Sequence, residues 1–155
     1  MEAALRAPWG LAADSRGEKL YVADSGNHGI RQINLDTGVI ITAAGSVAGY
    51  AGDGGPSTEA RLNTPVAAAL TPDHAALLIA DRNSHRVRRV DLVRARIVTL
   101  AGSGQQAFRS HQVEAAAAGL SMPNGLAVDG FGFLYLADTG HHIVRRMLVP
   151  GARPP

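Results

Sequence analysis

The sequence of 155 residues contains no cysteine, which excludes disulfides, thiolate metal sites and thiol catalysis. Aromatic residues make up only 5%, and lysine occurs once, at Lys19, so that arginine supplies nearly all of the 15 basic residues. No apolar run reaches the about 20 residues that a membrane helix needs. The N-terminal MEAALRAPWG also lacks the basic and apolar regions of a signal peptide. These absences give no indication of a membrane and slightly favour the cytoplasm.

The composition predicts a globular chain rich in turns. Hydrophobic residues reach 46% and charged residues 18%, while 18 glycines and 8 prolines indicate many short strands. Arginines crowd one stretch, at Arg82, Arg86, Arg88, Arg89, Arg94 and Arg96. Such a patch can bind nucleic acid through its phosphates, but we favour the interpretation that these are solvated strand edges.

A repeat of 57 residues is the main signal in the sequence. Aspartate, histidine and arginine each recur three times in one frame, within VADSGNHGIR, IADRNSHRVR and LADTGHHIVR. The recurring residues are Asp24, Asp81 and Asp138, then His28, His85 and His142, and then Arg31, Arg88 and Arg145. Agreement of three residue types in one frame indicates a repeated structural unit.

Each unit divides into short apolar segments separated by turn-forming residues. In the first unit these segments are GLAAD, LYVAD, IRQI and VIITAAG, the last being rich in β-branched residues. Four antiparallel strands on such a period are typical of a propeller blade. We therefore expect an all-β fold with blades at 8–46, 65–103 and 123–149, joined by linkers 47–64 and 104–122 within one region, 1–155.

The motifs PWGLAAD…LYVADSGNHGIRQI…TAAG and PNGLAVD…LYLADTGHHIVRRM resemble the NHL repeat. The first linker, GYAGDGGPSTEARLNTP, is similar to the glycine-rich linkers of NHL arrays, whereas the second has lost the GDGGP core. The resemblance implies an NHL-type β-propeller, here a partial array of about three four-stranded blades, which is half of a six-bladed propeller. It also implies a platform for binding rather than catalysis.

Three blades do not close a ring, and the third has no evident fourth strand in MLVPGARPP. An open arc would expose apolar blade faces. We expect the chain to be a fragment of a longer array. The alternatives are a homodimer that closes a six-bladed ring, or an arc capped by another protein.

The constellation Asp24–Asn27–His28 could suggest a metal or acid–base site. Its recurrence at a fixed step favours a structural role, since equivalent points of a ring lie far apart. We expect the aspartate to end the second strand and to accept N–H groups from the following turn. The histidine should open the third strand with local contacts, and the arginine should pair with the aspartate.

No catalytic residue, metal ligand or cofactor site is predicted. His141 and His142 are adjacent in a strand and would point to opposite faces. The glycine-rich AGYAGDGGPS lacks the phosphate-binding pattern GxxxxGK[ST], so that it fits a linker better.

Loop geometry predicts where recognition would occur. In a four-stranded meander, the turns between strands 2 and 3 share one face with the linkers between blades, and loops on a rigid scaffold commonly carry binding residues. On this face the candidate partner-binding residues are Tyr50, Arg82, Arg86, Phe108 and Arg109, because such side chains suit interfaces.

Three classes of function follow. The first is a non-catalytic scaffold that binds a protein partner. The second is a metal-dependent lyase or lactonase of the six-bladed propeller type, for which the innermost strand offers only Asp14, Thr71 and Asp129. The third is RNA binding through an arginine-rich face.

Overall fold

Three antiparallel sheets, arranged in chain order, form the blades of the computed structural model, which describes residues 4–106 and 114–151. Blade 1 consists of β1 (Pro8–Ala13), β2 (Lys19–Asp24), β3 (Gly29–Asn34) and β4 (Ile40–Ala44). These strands pair in sequential order, so that blade 1 is a simple meander. The meander predicted from the repeat is therefore present.

The linker after blade 1 forms a small sheet of its own. Its strands β5 (Val47–Ala48) and β6 (Arg61–Leu62) pair in parallel. The linker then leads into blade 2, whose strands are β7 (Pro65–Leu70), β8 (Ala76–Asp81), β9 (Arg86–Asp91) and β10 (Arg96–Ala101). The parallel pair therefore holds the two ends of the linker side by side.

Blade 3 has three strands within the described residues: β11 (Pro123–Val128), β12 (Phe133–Asp138) and β13 (Ile143–Leu148). In every blade the first strand is the innermost, because β1, β7 and β11 lie against one another in that order. No helix in the described ranges is long and apolar enough to cross a membrane. The all-β fold with about three blades is confirmed.

A short 3-10 turn joins the second and third strands of each blade, at Ser25–Asn27, Arg82–Ser84 and Thr139–His141. The residue after each turn is the repeated histidine, in the left-handed conformation with φ of 54° for His28, 54° for His85 and 58° for His142. Each third strand therefore starts one residue later than predicted, after the histidine rather than with it.

Two apolar clusters fill the spaces between neighbouring blades. The first joins Tyr21 and Ile30 of blade 1 to Leu77 and Ile79 of blade 2. The second repeats this arrangement one blade further on. Because blade 2 is covered on both sides, all six residues of β8 are buried. Burial on both faces explains why this strand reads ALLIAD, with no polar residue before its terminal aspartate.

Candidate functional site

Asp24 binds the segment that leads into its own blade. Its fully buried carboxylate accepts hydrogen bonds from the Arg6 N–H at 2.7 Å, the Asn27 amide at 2.9 Å and Arg31 Nε at 3.0 Å. The expectation that the backbone donor belongs to the following turn is wrong, because Arg6 lies 18 residues upstream. The aspartate therefore ties the end of β2 to the start of β1.

Blade 3 repeats this network with one substitution. Asp138 accepts from the Ser121 N–H at 2.7 Å and from Arg145 Nε at 2.7 Å. His141 takes the place of Asn27, with Nδ1 2.9 Å from Asp138 Oδ2. The extra imidazole of the third repeat is thereby accounted for as a partner of the aspartate.

The middle blade differs in its arginine. Asp81 accepts from the Asn63 N–H at 2.6 Å, but Arg88 Nη1 stays 3.6 Å from Asp81 Oδ2. Arg88 is fully buried and donates instead to Asp53 Oδ1 at 2.6 Å. The linker therefore supplies a second carboxylate to the arginine of the repeat. The expected Asp81–Arg88 pair is an ion pair without a hydrogen bond.

The pKa of Asp81 is shifted in the opposite direction from the pKa values of Asp24 and Asp138. Burial raises the pKa of Asp81 to about 6, although the Asn63 N–H, the Ser84 side chain and Arg88 oppose the shift. Burial also pushes the pKa of Asp24 upward, but the Arg6 N–H, Asn27 and Arg31 outweigh it, so that the net pKa is lowered. The pKa of Asp138 is lowered for the equivalent reasons.

The repeated histidine joins each blade to the next. His28 Nδ1 accepts a hydrogen bond from the Thr64 N–H at 3.2 Å, and His85 Nδ1 accepts one from the Met122 N–H at 3.1 Å. Burial, with Arg86 and then Arg82 nearby, lowers the pKa of His85, which favours the neutral imidazole that accepts this bond. The expectation of purely local contacts is therefore wrong for His28 and His85.

The turns between strands 2 and 3 lie beside the linkers, as the loop geometry predicts. The Asn83 N–H donates to Asn63 O at 3.0 Å, and the Gly140 N–H donates to Ser121 O at 2.8 Å. We call this surface, formed by residues 25–27, 82–84, 139–141 and the described parts of the linkers, the turn–linker face. Backbone bonds hold it at several points, so that its loops form a firm platform.

A cluster around Tyr50 stands on this face. Tyr50 is 43% exposed, and the Arg86 guanidinium stacks 3.6 Å from the centroid of its ring. The Tyr50 hydroxyl donates to Asp53 Oδ2 at 2.9 Å. Arg86 itself donates to Ser84 O at 2.9 Å and to Ser103 O at 2.8 Å. The structure thus brings two of the candidate residues, Tyr50 and Arg86, into one fixed arrangement.

Of the other candidates, only Arg82 lies within the described residues, and it is not part of this cluster. Arg82 is half-buried at the first position of the second turn. Phe108 and Arg109 lie outside the described residues. The arginine-rich stretch does not form one patch either, because Arg88 is fully buried and Arg94 lies at an exposed turn with Asp91.

The carboxylates at the ends of the innermost strands support their own turns. Asp14 accepts the Glu18 N–H at 2.8 Å, and Asp129 accepts the Phe133 N–H at 2.9 Å. Thr71 Oγ1 donates to Asp73 Oδ1 at 2.6 Å. In residues 4–106 and 114–151, no group of three or more histidine, aspartate or glutamate side chains is placed to hold a metal ion.

Comparison with known proteins identifies the repeat. A family model described as the NHL repeat matches residues 5–33. The chain is 30% identical over 145 residues to Protein SUPPRESSOR OF QUENCHING 1, chloroplastic, of Arabidopsis thaliana, covering 89% of this chain and 14% of that protein. It is also 30% identical over 159 residues to NHL repeat-containing protein 2 of Gallus gallus, covering 96% of this chain and 21% of the relative. The chain thus spans about a fifth or less of the length of these relatives.

Solved structures support the fold. A putative phosphatase from Bacteroides thetaiotaomicron superimposes with a TM-score of 0.68 at 21% identity, over 89% of this chain and 34% of that one. An auxiliary nutrient binding protein from the same organism gives a TM-score of 0.69 at 16% identity, over 88% and 36%. Identities this low concern the fold alone. Together with the threefold recurrence of the Asp–His–Arg frame, the family and sequence matches show that the chain belongs to the NHL-repeat family of β-propeller proteins.

Proposed function

We propose that this chain is a non-catalytic scaffold that binds a protein partner through the turn–linker face. The observation that carries the proposal is the fixed cluster of Tyr50 and Arg86. A partly exposed tyrosine next to an arginine is a combination enriched among the residues that dominate protein interfaces. NHL repeats are often found in proteins that interact with other proteins, which is consistent with this assignment.

The cluster is also suited to binding because it is already ordered. Both Nη atoms of Arg86 are bound to backbone carbonyls, and the Tyr50 hydroxyl is bound to Asp53. Side chains that are held before binding lose less conformational entropy when a partner docks. The arrangement therefore favours recognition by these two residues over recognition by mobile side chains elsewhere.

The geometry gives less support to the other two classes. Asp14 and Asp129 are engaged by the N–H groups of their own turns, which does not favour their use as ligands in a lyase or lactonase. The stretch from Arg82 to Arg96 is divided between buried and exposed positions, which does not favour an RNA-binding strip.

The proposal can be tested by affinity capture with matched variants. The bait would be the chain itself, as wild type, as the double variant Tyr50→Ser/Arg86→Ser, and as the control Val93→Ser/Arg94→Ser in the exposed turn between β9 and β10. Proteins held by wild type and control but lost by the first variant would then be purified for titration. We expect the dissociation constant of such a partner to rise by about tenfold or more.

Two results would contradict the proposal. One is equal retention of every captured protein by all three baits. The other is salt-sensitive binding of single-stranded RNA by the wild type together with no protein that distinguishes the variants. Melting curves of both double variants establish that a loss of binding is not a loss of folding.

A further inference from the structure

A polar cleft lies between blades 1 and 2, where the turn between β1 and β2 meets the turn between β7 and β8. Its volume is about 280 Å³. Tyr21 and Gln32 line it from blade 1, and Leu70 and Leu92 line it from blade 2. Both walls therefore belong to the interface that the chain completes between its first two blades.

The Tyr21 hydroxyl indicates that the cleft receives a ligand. Tyr21 is only 3% exposed and yet lines the cleft, so that the small accessible part of its side chain faces the cleft. Within residues 4–106 and 114–151, its hydroxyl makes no hydrogen bond, and neither does the amide of Gln32, its direct neighbour on β3. Because buried polar groups are normally bonded, two adjacent polar groups without partners mark a place where a molecule binds.

Blade 3 shows that the tyrosine of this position can bond to a carboxylate of its own blade. Tyr135 and Asp129 occupy the positions of Tyr21 and Asp14, and the Tyr135 hydroxyl donates to Asp129 Oδ2 at 3.1 Å. In blade 1, Asp14 Oδ1 accepts two N–H groups of its own turn, at 2.8 and 3.1 Å, but Asp14 Oδ2 receives no hydrogen bond from Tyr21. The pair that is closed in blade 3 is therefore open in blade 1.

Blade 2 shows that the fold does not require polar side chains at these positions. Leu78 takes the place of Tyr21, and Thr71 takes the place of Asp14. Leu78 is fully buried in the apolar cluster that joins blade 2 to blade 3. The polar groups of the cleft are thus not needed to attach one blade to the next.

The mixture of polar groups defines the chemistry of the ligand. An ionised Asp14 can only accept hydrogen bonds, whereas the Tyr21 hydroxyl and the Gln32 amide can both donate and accept. Burial, and then the negative charge of Asp14, raise the pKa of Tyr21, so that its hydroxyl keeps its proton. The adjacent hydroxyl groups of a polyol also donate and accept, and they match this set. Leu70 and Leu92 offer apolar contact to the carbon atoms of such a molecule.

The charges and the size of the cleft narrow the class further. The charged side chains that line it are the carboxylates of Asp14, Glu18 and Asp73 and the cations of Arg16 and Lys19. Because neither sign dominates, the local field does not favour a strongly charged ligand. The volume lies just below the range of about 300 to 1,000 Å³ that is typical of pockets for drug-sized molecules. The ligand is therefore small, comparable to one sugar ring.

We propose that the cleft between blades 1 and 2 binds a neutral polyhydroxylated molecule of the size of a monosaccharide, with Tyr21, Gln32 and Asp14 as its polar contacts. Adjacent hydroxyl groups of the ligand bridge the Tyr21 hydroxyl and Asp14 Oδ2, which in blade 3 bond to each other directly. Neither Tyr50 nor Arg86 lines the cleft. This site is therefore independent of the function proposed for the turn–linker face.

Backbone amide NMR spectra of the 155-residue chain test this inference, with D-glucose, D-galactose, D-mannose and myo-inositol added separately at millimolar concentrations. At least one of these polyols should shift the amides of Tyr21, Gln32 and Leu92 in a saturable way. The amides of Tyr50 and Arg86 should not respond. The absence of saturable shifts with all of these polyols would overturn the proposal. Saturable shifts of the same amides by spermidine or inorganic phosphate, without any by a polyol, would also overturn it.

Two variants with matched controls connect binding to the named groups. Tyr21→Phe removes only the hydroxyl, so that it should leave the melting temperature unchanged and raise the dissociation constant of the bound polyol by about fivefold. Asp14→Asn keeps an oxygen for the turn and should raise this constant by about tenfold. The controls Tyr135→Phe and Asp129→Asn, at the same positions of blade 3, should leave it unchanged. Equal affinity of the wild type and Tyr21→Phe, or equal losses in the controls, would overturn the proposal.

Discussion

The Nδ1 atom of His28 accepts a hydrogen bond from the backbone N–H of Thr64, 3.2 Å away and 36 residues further along the chain. His28 has a left-handed backbone, with φ of 54°, and its ring contacts the start of the next blade. His85 makes the same bond to Met122 one repeat later. The histidine of the motif is therefore the polar joint between successive blades.

The hydrogen bond between His28 and Thr64 predicts how substitution of His28 changes stability. His28→Ala leaves the Thr64 N–H without its acceptor and should lower the free energy of unfolding by about 1 to 2 kcal/mol. His28→Asn should restore part of this loss, because asparagine tolerates the left-handed region and places Oδ1 near the position of Nδ1. Urea denaturation measures both changes.

The matched control for this pair is His74→Ala. His74 has the same φ of 54° but receives only a 3.5 Å contact from the Ser15 N–H. We expect a change below about 0.5 kcal/mol. Equal losses at positions 28 and 74 would contradict the role of the joint.

The buried carboxylate of blade 1 should matter more than the histidine. Asp24→Ala leaves the Arg6 N–H and the Asn27 amide without their acceptor, so that we expect a loss of about 3 kcal/mol. Asp36→Ala removes a carboxylate from an exposed turn and should change stability by less than about 0.5 kcal/mol. Melting temperatures that do not separate these two variants would count against the network.

The pKa of Asp81 predicts a stability difference that depends on pH. Because its folded pKa is about 6, above the unfolded value, the folded state binds more protons between about pH 4 and pH 6. The wild type should therefore lose stability relative to Asp81→Asn as the pH rises through this window, by roughly 3 kcal/mol in total.

Asp24→Asn is the control, because its stability difference from the wild type should depend on pH in the opposite direction. The pKa of Asp24 is lowered, so that its stabilising contribution is present above the unfolded value and disappears as the pH falls. The wild type should gain stability relative to Asp24→Asn as the pH rises through the acid range. Parallel pH profiles for the two asparagine variants would show that the two carboxylates do not differ in this way.

Alanine substitutions at Gly38 and Gly102 distinguish the cost of backbone strain from the cost of a steric clash. Gly38 and Gly102 have φ of +70° and +97°, so that alanine is strained at both. A Cβ at Gly38 meets nothing within 4 Å, whereas one at Gly102 meets the carbonyl oxygen of His85 and, at 2.9 Å, the Arg86 Cα. We expect Gly38→Ala to cost about 1 kcal/mol and Gly102→Ala more than about 3 kcal/mol. Equal losses in denaturant titrations would contradict this close approach.

The sequence was sufficient to predict the blades, because period and turn chemistry are local. Each second strand ends at the repeated aspartate, and turn residues follow it. The partners of these residues were not predictable in the same way. Arg6, Asn63 and Ser121 donate through backbone N–H groups, which leave no mark on residue type.

Asp53 was missed for a different reason. It lies in the glycine-rich linker, where turn composition dominated the interpretation. A signal was nevertheless present, because Arg86 and Arg88 share one face of a strand that offers a single nearby aspartate, Asp81. Two arginines on a covered face require a further acceptor, and the linker supplies Asp53 to Arg88 at 2.6 Å.

The most direct test of the blade joint is amide hydrogen exchange at Thr64 and Met122. The account predicts that His28→Ala accelerates exchange of the Thr64 N–H and leaves the Met122 N–H protected, while His85→Ala does the reverse. Exchange at both amides that responds equally to either substitution, or to neither, would contradict the claim that each histidine joins its blade to the next.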